Sequence, residues 1–263
     1  MKLMTEKEYK KELIKILKYI DDICIKNNIT YSLIGGSLLG AIRHKGIIPW
    51  DDDIDIGLLK KDYDKLIEIL KKENKDYYLI CHETDKNCYF PHTKLVSLRT
   101  TLTERNYQKI AKMGVFVDIF IYSYLPDNPK KAYSFYRKIK FYNSLVAGLR
   151  KPNKEENKYL LRIIRHIICK YIMTSNFIFK RLNNLYKKYP KGEYILANAP
   201  QYGYLKEKQK SSIFNNIIRT KFEDIEVSIT TEYDEYLTTT FNDYMTPPPI
   251  EKRTNHEVKA YWK

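Results

Sequence analysis

The spacing of apolar residues along the first half of the chain predicts alternating helices and strands. Leu13, Ile16, Leu17 and Ile20 recur every three or four positions, which predicts one apolar face of a long helix over residues 6–27. The same spacing predicts helices over 37–43 and 60–72, and short apolar or alternating runs predict strands over 29–34, 53–58, 77–81, 89–98 and 114–122. This alternation is typical of an α/β (α+β) fold with a mixed sheet.

The second half of the chain is patterned differently. Clustered apolar residues predict helices over 131–149 and 159–173, and a strand over 222–229 and a helix over 232–243 follow. Three consecutive prolines at 247–249 cannot continue that last helix. We therefore divide the chain into a mixed-sheet core with flanking helices (1–126), a basic helical region (127–212) and a C-terminal segment that packs back on the core (213–263).

Composition adds a strong charge asymmetry to this pattern. The 263 residues are 43% hydrophobic and 14% aromatic, which excludes a disordered or collagen-like chain. Lys and Arg number 47 against 32 Asp and Glu, a net charge of +15. Between residues 130 and 190, sixteen basic residues face two acidic ones, so that fourteen of the excess charges lie there. The basic region is therefore expected to meet an anionic partner, away from the acidic residues of the core.

The predicted helix over 159–173 leaves three interpretations open. Arg162, Arg165 and Lys170 form a narrow cationic stripe beside a wide apolar face, which favours a core helix with a solvated basic edge. Peripheral contact with an anionic membrane surface is the first alternative. Aromatic residues interleaved with basic ones allow nucleic acid as the second, but no zinc finger, KH loop or RNP motif is present, and no nucleic acid is expected.

Cysteine usage and the N-terminus indicate a reducing compartment. The four cysteines form no CxxC pair, and the first residues contain no apolar stretch of a signal peptide. We expect a cytoplasmic protein, free or peripheral at the inner face of the cell membrane. A zinc site is a possible interpretation of four residues close along the chain, Cys81, Cys88, His82 and His92. Their spacing matches no common zinc finger, so ordinary strand and loop residues are the preferred interpretation.

Residues 31–58 carry the candidate chemistry, and they read YSLIGGSLLGAIRHKGIIPWDDDIDIGL. A strand that runs through a Gly pair into a helix allows close approach of a ligand, so Gly36 and Ser37 are candidates to hold a phosphate. On a strand, Asp53 and Asp55 point to the same face. Two adjacent carboxylates repel each other and suit Mg²⁺ or Mn²⁺.

The preceding Asp51 and Asp52 are interpreted as a solvated acidic loop. The motifs at 35–46 and 49–56 resemble the signature of the LicD family, which includes fukutin-type transferases and belongs to the nucleotidyltransferase-fold superfamily. Further matches lie at 114–120, where an apolar strand has a central Asp, and at 233–237, 243–245, 247–249 and 253–256. One departure is Phe241-Asn242, where the family usually has Tyr-Gly.

The resemblance implies roles for specific residues. Asp53, Asp55 and Asp118 would bind the metal and act in catalysis, with Asp118 also a candidate base, although a strand-edge Asp is the alternative for it. The resemblance places Gly36 and Ser37 at a substrate phosphate, and Arg43 and Lys94 are candidates to hold donor phosphates. For Arg43 and Lys94 taken singly, a solvated surface cation is the preferred alternative. His44, Trp50, Arg253 and His256 stand at family positions without an assigned role. Trp50 could contact a quaternary ammonium, but packing is the preferred interpretation.

The implied activity is a phosphotransferase that moves phosphocholine from CDP-choline to a sugar hydroxyl. The expected acceptor is a bacterial cell-surface glycan precursor, such as teichoic acid, capsule or lipopolysaccharide, free or lipid-linked. A second CDP-linked donor class, ribitol or glycerol phosphate, is one alternative. A nucleic-acid-directed protein with a nucleotidyltransferase-like core is the other.

Overall fold

The first helix, α1 (Glu6–Lys26), begins at a reciprocal cap between Thr5 and Glu8. The Thr5 hydroxyl accepts a hydrogen bond from the Glu8 backbone N–H at 3.2 Å, and the Glu8 carboxylate accepts one from the Thr5 N–H at 2.8 Å. These bonds satisfy amides that the start of a helix leaves unpaired. The predicted apolar face of α1, which includes Leu13 and Leu17, is fully buried.

The computed structural model describes residues 1–72, 74–85, 88–103, 110, 112–152, 154, 157–253 and 258–263. The further helices are α2 (Gly35–Arg43), α3 (Lys60–Leu70), α4 (Pro129–Leu149), α5 (Tyr159–Ile167), α6 (Ser175–Tyr186), α7 (Tyr204–Glu207) and α8 (Tyr233–Phe241). The strands are β1 (Lys2–Leu3), β2 (Ser32–Leu33), β3 (Asp55–Leu59), β4 (Tyr77–Ile80), β5 (Thr93–Ser97), β6 (Thr100–Thr103), β7 (Phe116–Tyr124), β8 (Tyr194–Ala197), β9 (Lys208–Lys210), β10 (Ile217–Phe222), β11 (Ile225–Thr230) and β12 (Lys259–Trp262).

A mixed central sheet of seven strands confirms the predicted fold class. Its main path runs β2-β3-β7-β5-β4, in which β3 and β7 are parallel and the other pairs are antiparallel. The first half of β7 pairs with β5 and its end pairs with β8, to which β9 is added. Helix α1 contacts β5 and β7, and α3 contacts β3 and β7, so helices flank the sheet.

The C-terminal residues pack against the same hydrophobic core. Strand β12 pairs with β1 and β6, and Phe222, Val227 and Leu237 are buried in the core. The predicted strand over 222–229 is confirmed over 225–229 as β11, but its start is wrong, because β10 and β11 form a hairpin that turns at residues 223–224. Glu223 has φ 56°, a conformation that usually falls to Gly or Asn, so the sequence carried no turn signal there.

Helices α4 and α6 form a second hydrophobic cluster with the end of β7 and with β8. Phe135, Ile139 and Ile178 are buried between these elements. Strands β8 and β9 lie within residues 127–212 and belong to the central sheet, so this region is not purely helical. The division into three parts stays a prediction.

Helix α5 and the turn of π-helix that continues it, Ile168–Ile172, differ from the expected core helix. No residue of α5 is buried, and Leu160 and Ile172 are 72% and 74% exposed. The interpretation as a core helix with a solvated basic edge is therefore wrong for α5. Within the described part of the chain, no helix is long and apolar enough to cross a membrane.

Candidate active site

Strand register places three charged residues in one row of the central sheet. Asp55 on β3 is paired with Asp118 on β7, and Asp118 is paired with Lys94 on β5. Paired positions on neighbouring strands project to the same face of a sheet. The Lys94 Nζ donates to both carboxylate oxygens of Asp118, at 2.7 and 2.9 Å, and both side chains are buried.

The loop before β3 brings three more carboxylates to this row. Ligand oxygens of Asp51, Asp52 and Asp53 lie within 4.8 Å of one another, and the Tyr9 hydroxyl donates to the Asp52 carbonyl at 2.8 Å. These three residues are half-buried, so the interpretation of Asp51 and Asp52 as a solvated loop is wrong. We name Asp51, Asp52, Asp53, Asp55 and Asp118 the acidic cluster; all five line one cavity of about 460 Å³.

The carboxylates of the acidic cluster repel one another. Burial raises the pKa of Asp55 well above its ordinary value, and Asp53, Asp118 and Asp51 raise it further. Burial followed by the charge of Asp53 raises the pKa of Asp51 to about 7. Such a set takes up either protons or a cation, and its oxygen donors suit a hard ion such as Mg²⁺ or Mn²⁺. The triad Asp51–Asp53 can thus hold a metal, and the whole cluster fits one.

The Gly-Gly-Ser residues at the start of α2 contact the acidic cluster. The Asp55 backbone N–H donates to the Ser37 hydroxyl at 2.8 Å, so Ser37 holds the start of β3. Ser37 is buried and does not belong to the cavity lining, whereas Gly36 does. A Cβ at Gly36 would lie 2.9 Å from Asp51 Oδ2, so glycine makes room for that carboxylate. Of Gly36 and Ser37, the structure places Gly36 at the cavity.

Arg43 lies elsewhere, against the C-terminal segment. Its Nη1 donates to the Tyr244 carbonyl at 2.5 Å, and the structure places it outside the cavity lining. The Arg253 guanidinium lies 4.3 Å from the centre of the Trp50 ring, and the His44 ring meets Trp50 edge-on at 5.8 Å. Trp50 packs against the core, in agreement with the packing interpretation. The remaining family position, His256, lies outside the described residues.

Three arginines line the same cavity as the acidic cluster. They are Arg150, which follows α4, and Arg162 and Arg165 on α5; we name them the arginine cluster. His166 Nδ1 lies 3.0 Å from the Gly148 carbonyl oxygen, a contact that joins α5 to the end of α4. The expectation that the basic region stands apart from the acidic residues is therefore wrong. The i, i+3 spacing of Arg162 and Arg165 was visible in the sequence, but the direction of that face was not.

Aromatic rings complete the cavity, and sequence reasoning did not single them out. Its lining includes Tyr89, Phe90, Phe116, Phe120 and Tyr202. The Lys94 ammonium lies 3.6 Å from the centre of the Phe116 ring and 4.7 Å from that of Phe90. The cavity therefore already places one cation against aromatic faces.

His92 lies between the aromatic rings and the acidic cluster. It is stacked on Phe120 at 4.8 Å, and its Nε2 lies 3.5 Å from Asp118. Burial lowers the pKa of His92 well below its ordinary value, and the charge of Lys94 lowers it further.

The zinc alternative finds no support among the described residues. Cys81 Sγ contacts the Thr84 hydroxyl, Cys88 Sγ lies 3.7 Å from the Phe90 carbonyl, and His82 stacks on Phe179. In the part of the chain that the structure describes, the group of His, Cys, Asp and Glu side chains that meets the distance requirement for a metal is Asp51–Asp53.

Comparisons with known proteins agree with this geometry. A family model described as LicD/FKTN/FKRP, nucleotidyltransferase domain, matches residues 28–153, which contain the acidic cluster, Lys94 and Arg150. The lipopolysaccharide cholinephosphotransferase LicD of Haemophilus influenzae is 31% identical over 271 residues, which cover 98% of each chain. The chain belongs to the LicD family. It is a LicD-family transferase, and the resemblance of its motifs to that family is confirmed.

Two shorter similarities extend the LicD comparison. An uncharacterised protein of Rickettsia prowazekii is 41% identical over 75 residues, 28% of each chain. The mouse ribitol 5-phosphate transferase FKRP is 47% identical over 45 residues, which are 17% of this chain and 9% of that protein.

Proposed function

We propose that this LicD-family protein transfers phosphocholine from CDP-choline to a sugar hydroxyl of a cell-surface glycan, such as a lipopolysaccharide precursor. The observation that carries the proposal is one cavity that holds the in-register Asp55 and Asp118 together with three arginines. Its full-length similarity to a lipopolysaccharide cholinephosphotransferase supports the choice of donor and acceptor class.

The two clusters divide the work on the donor. Asp53, Asp55 and Asp118, joined by Asp51, would hold a divalent ion, which would supply positive charge to the donor diphosphate and to the departing CMP. The arginines bind diphosphate oxygens through their planar forks, and Gly36 gives the donor close access to the backbone. Lys94 places a positive charge beside Asp118 and orients that carboxylate through two hydrogen bonds.

The reaction is an in-line displacement at the phosphorus that carries choline. The acceptor hydroxyl oxygen forms the new P–O bond, the bond from that phosphorus to the bridging oxygen breaks, and CMP leaves with the bridging oxygen. A carboxylate of the acidic cluster, for which Asp118 is our candidate, takes the hydroxyl proton.

Two donor classes have support, and the aromatic lining favours choline. Tyr202 and Tyr89 supply ring faces near the carboxylates, and such faces attract a quaternary ammonium. The local similarity to a ribitol 5-phosphate transferase supports a polyol phosphate as the second candidate.

The test measures CMP release from CDP-choline, CDP-ribitol and CDP-glycerol with Mg²⁺ or Mn²⁺ and a lipopolysaccharide-derived oligosaccharide. Wild-type protein should release CMP, and Asp55→Asn should lower the rate about a thousandfold or more, because it removes a carboxylate that would bind the metal. The matched control is Asp22→Asn on the exposed face of α1.

The donor giving the highest kcat/KM identifies the transferred group. Tyr202→Ala should raise the KM for CDP-choline more than the KM for CDP-ribitol, since only choline carries a permanent positive charge. Release of CMP from none of the three donors above the Asp55→Asn level overturns the proposal.

A further inference from the structure

A continuous apolar stripe runs along the outer side of α5 and the π-helical turn. Leu161, Ile164 and Tyr171 are 64%, 53% and 69% exposed. We name the full stripe the apolar ridge; its members are Leu160, Leu161, Ile164, Ile167, Ile168, Tyr171 and Ile172. Their spacing of three and four residues places them on one helical face. An exposed apolar patch of this kind marks an interaction surface.

The charge around the apolar ridge favours one of three binding partners: a second copy of this chain, a nucleic acid or a lipid surface. Lys158 at the start of α5 and Lys170 in the π-helical turn are exposed, and the Lys170 ammonium lies 5.3 Å from the centre of the Tyr171 ring. Both belong to residues 130–190, which carry an excess of fourteen positive charges. A second copy of this chain would bring the same charge against itself, which disfavours a dimer through this face. Six of the seven ridge side chains are aliphatic, whereas single-stranded nucleic acid binds by base stacking on aromatic rings. Apolar side chains bordered by lysines match an anionic lipid surface.

The other side of the same helix faces the catalytic cavity. Arg162 and Arg165 line that cavity, while Leu161 and Ile164, their neighbours along the chain, point outward. The arginine side of the cavity wall therefore lies about one helix diameter, ~10 Å, from the ridge. A glycan acceptor carried on a lipid would be held at the membrane within reach of the cavity.

We propose that the apolar ridge inserts into the headgroup boundary of an anionic lipid bilayer and docks the enzyme there. Leucines and isoleucines enter the acyl boundary, Tyr171 lies at the headgroup level, and the flanking lysines contact anionic headgroups. Lipid binding by the apolar ridge does not depend on the proposed activity. Only its link to a lipid-borne acceptor rests on that proposed function.

The experiment is co-sedimentation of the full chain with phosphatidylglycerol/phosphatidylcholine vesicles and with phosphatidylcholine vesicles. The ridge variant carries Leu160→Gln, Leu161→Gln and Ile172→Gln, which remove apolar surface and keep the charge. The control variant carries Leu205→Gln, Met245→Gln and Ile250→Gln, which are 80%, 55% and 77% exposed in the wild type and lie outside the ridge. Arg162 and Arg165 stay unchanged because they line the cavity.

Wild type and control should bind phosphatidylglycerol vesicles, and the ridge variant should partition at least about tenfold more weakly. Binding should also fall with added salt and in a Lys158→Gln/Lys170→Gln variant. Circular dichroism checks the fold, and the single variant Leu161→Gln provides the comparison if the triple variant is misfolded.

Wild type that fails to sediment with anionic vesicles, or a ridge variant that binds like wild type, overturns the inference. A dimer in sedimentation velocity that the ridge variant alone dissociates, without vesicle binding, assigns the surface to a second copy and also overturns it. CMP release from a soluble acceptor, which the ridge variant should retain, is measured in parallel. Vesicle binding without CMP release would refute the proposed function and leave the lipid surface standing.

Discussion

The acidic cluster and the arginine cluster share one cavity, yet the fold holds them in different ways. Asp55 and Asp118 are fixed by the register of neighbouring strands in the packed central sheet, and Lys94 is paired with Asp118 there. Arg162 and Arg165 are carried by α5, which buries none of its residues. The carboxylates repel one another, and the two that lie on strands, Asp55 and Asp118, are therefore held by the packed central sheet. Two of the arginines that line the cavity, Arg162 and Arg165, lie on a lightly packed helix at its edge.

Breaking the buried ion pair of the acidic cluster should have the largest effect. Lys94→Met leaves Asp118 without its buried positive partner, and we expect a loss of about 3–5 kcal/mol in the free energy of unfolding. The matched control is Lys18→Met, which breaks an exposed pair with Asp22 and should cost less than about 1 kcal/mol.

Chemical denaturation without divalent ions measures both variants. Added Mn²⁺ should restore part of the loss in Lys94→Met, since the ion supplies positive charge to the same carboxylates. Equal losses in the two variants would contradict the central role of the buried pair.

The pH dependence of stability should expose the repulsion within the acidic cluster. The raised pKa of Asp51, about 7 against 3.8, means that the metal-free folded protein holds a proton that the unfolded chain loses near pH 4. Stability from this group is therefore present below pH 4 and is lost as pH rises to about 7.

Asp51→Asn removes that effect, so its unfolding free energy relative to wild type should grow from pH 4 to 7 and then level off. The difference between the two proteins cancels the titration of groups that Asp51 does not shift, such as His92. Loss of the Asp51 charge also lowers the raised pKa of Asp55, which changes the difference in the same direction. Asp22→Asn should show no such trend, and a flat difference for Asp51→Asn would contradict the raised pKa.

Loss of one arginine should change donor binding and leave stability nearly unchanged. Arg162→Ala or Arg165→Ala should raise the KM for the CDP-linked donor about ten- to hundredfold, the value of a charge-assisted phosphate contact. Arg137→Ala, at an exposed position of α4, is the control with the same change of charge. Steady-state kinetics decide, and a KM shift of equal size in all three variants would indicate a general charge effect.

The last prediction compares side-chain packing in the central sheet with side-chain packing in α5. A Cβ at Gly57 on β3 would lie 2.7 Å from the Tyr122 ring and 2.8 Å from the Ile34 side chain, so Gly57→Ala should destabilise by about 1–3 kcal/mol. Leu161→Ala on exposed α5 should stay within about 0.5 kcal/mol of wild type. Thermal unfolding measures both, and a larger loss for Leu161→Ala would show that α5 is more tightly anchored than its exposure indicates.

Local patterns predicted much of the fold. The helices over 6–27 and 60–72 are confirmed as Glu6–Lys26 and Lys60–Leu70, because periodic burial on a helix is written directly in residue spacing. The β10–β11 hairpin was missed because Glu223 occupies the left-handed turn position in place of Gly or Asn. Strands β8 and β9 were missed because four and three residues in a basic region give too short a signal.

The sequence by itself determined the acidic half of the site. The alternation from Asp53 to Ile56 and the glycine-rich turn are local, and the family membership that they indicated is confirmed. Only the tertiary structure decided that Asp51 joins the acidic cluster, that Arg43 lies outside the cavity lining and that Arg162 and Arg165 belong to it. The physical reason is that a residue pattern defines the two faces of a helix, whereas the packing of distant elements decides which face meets the cavity.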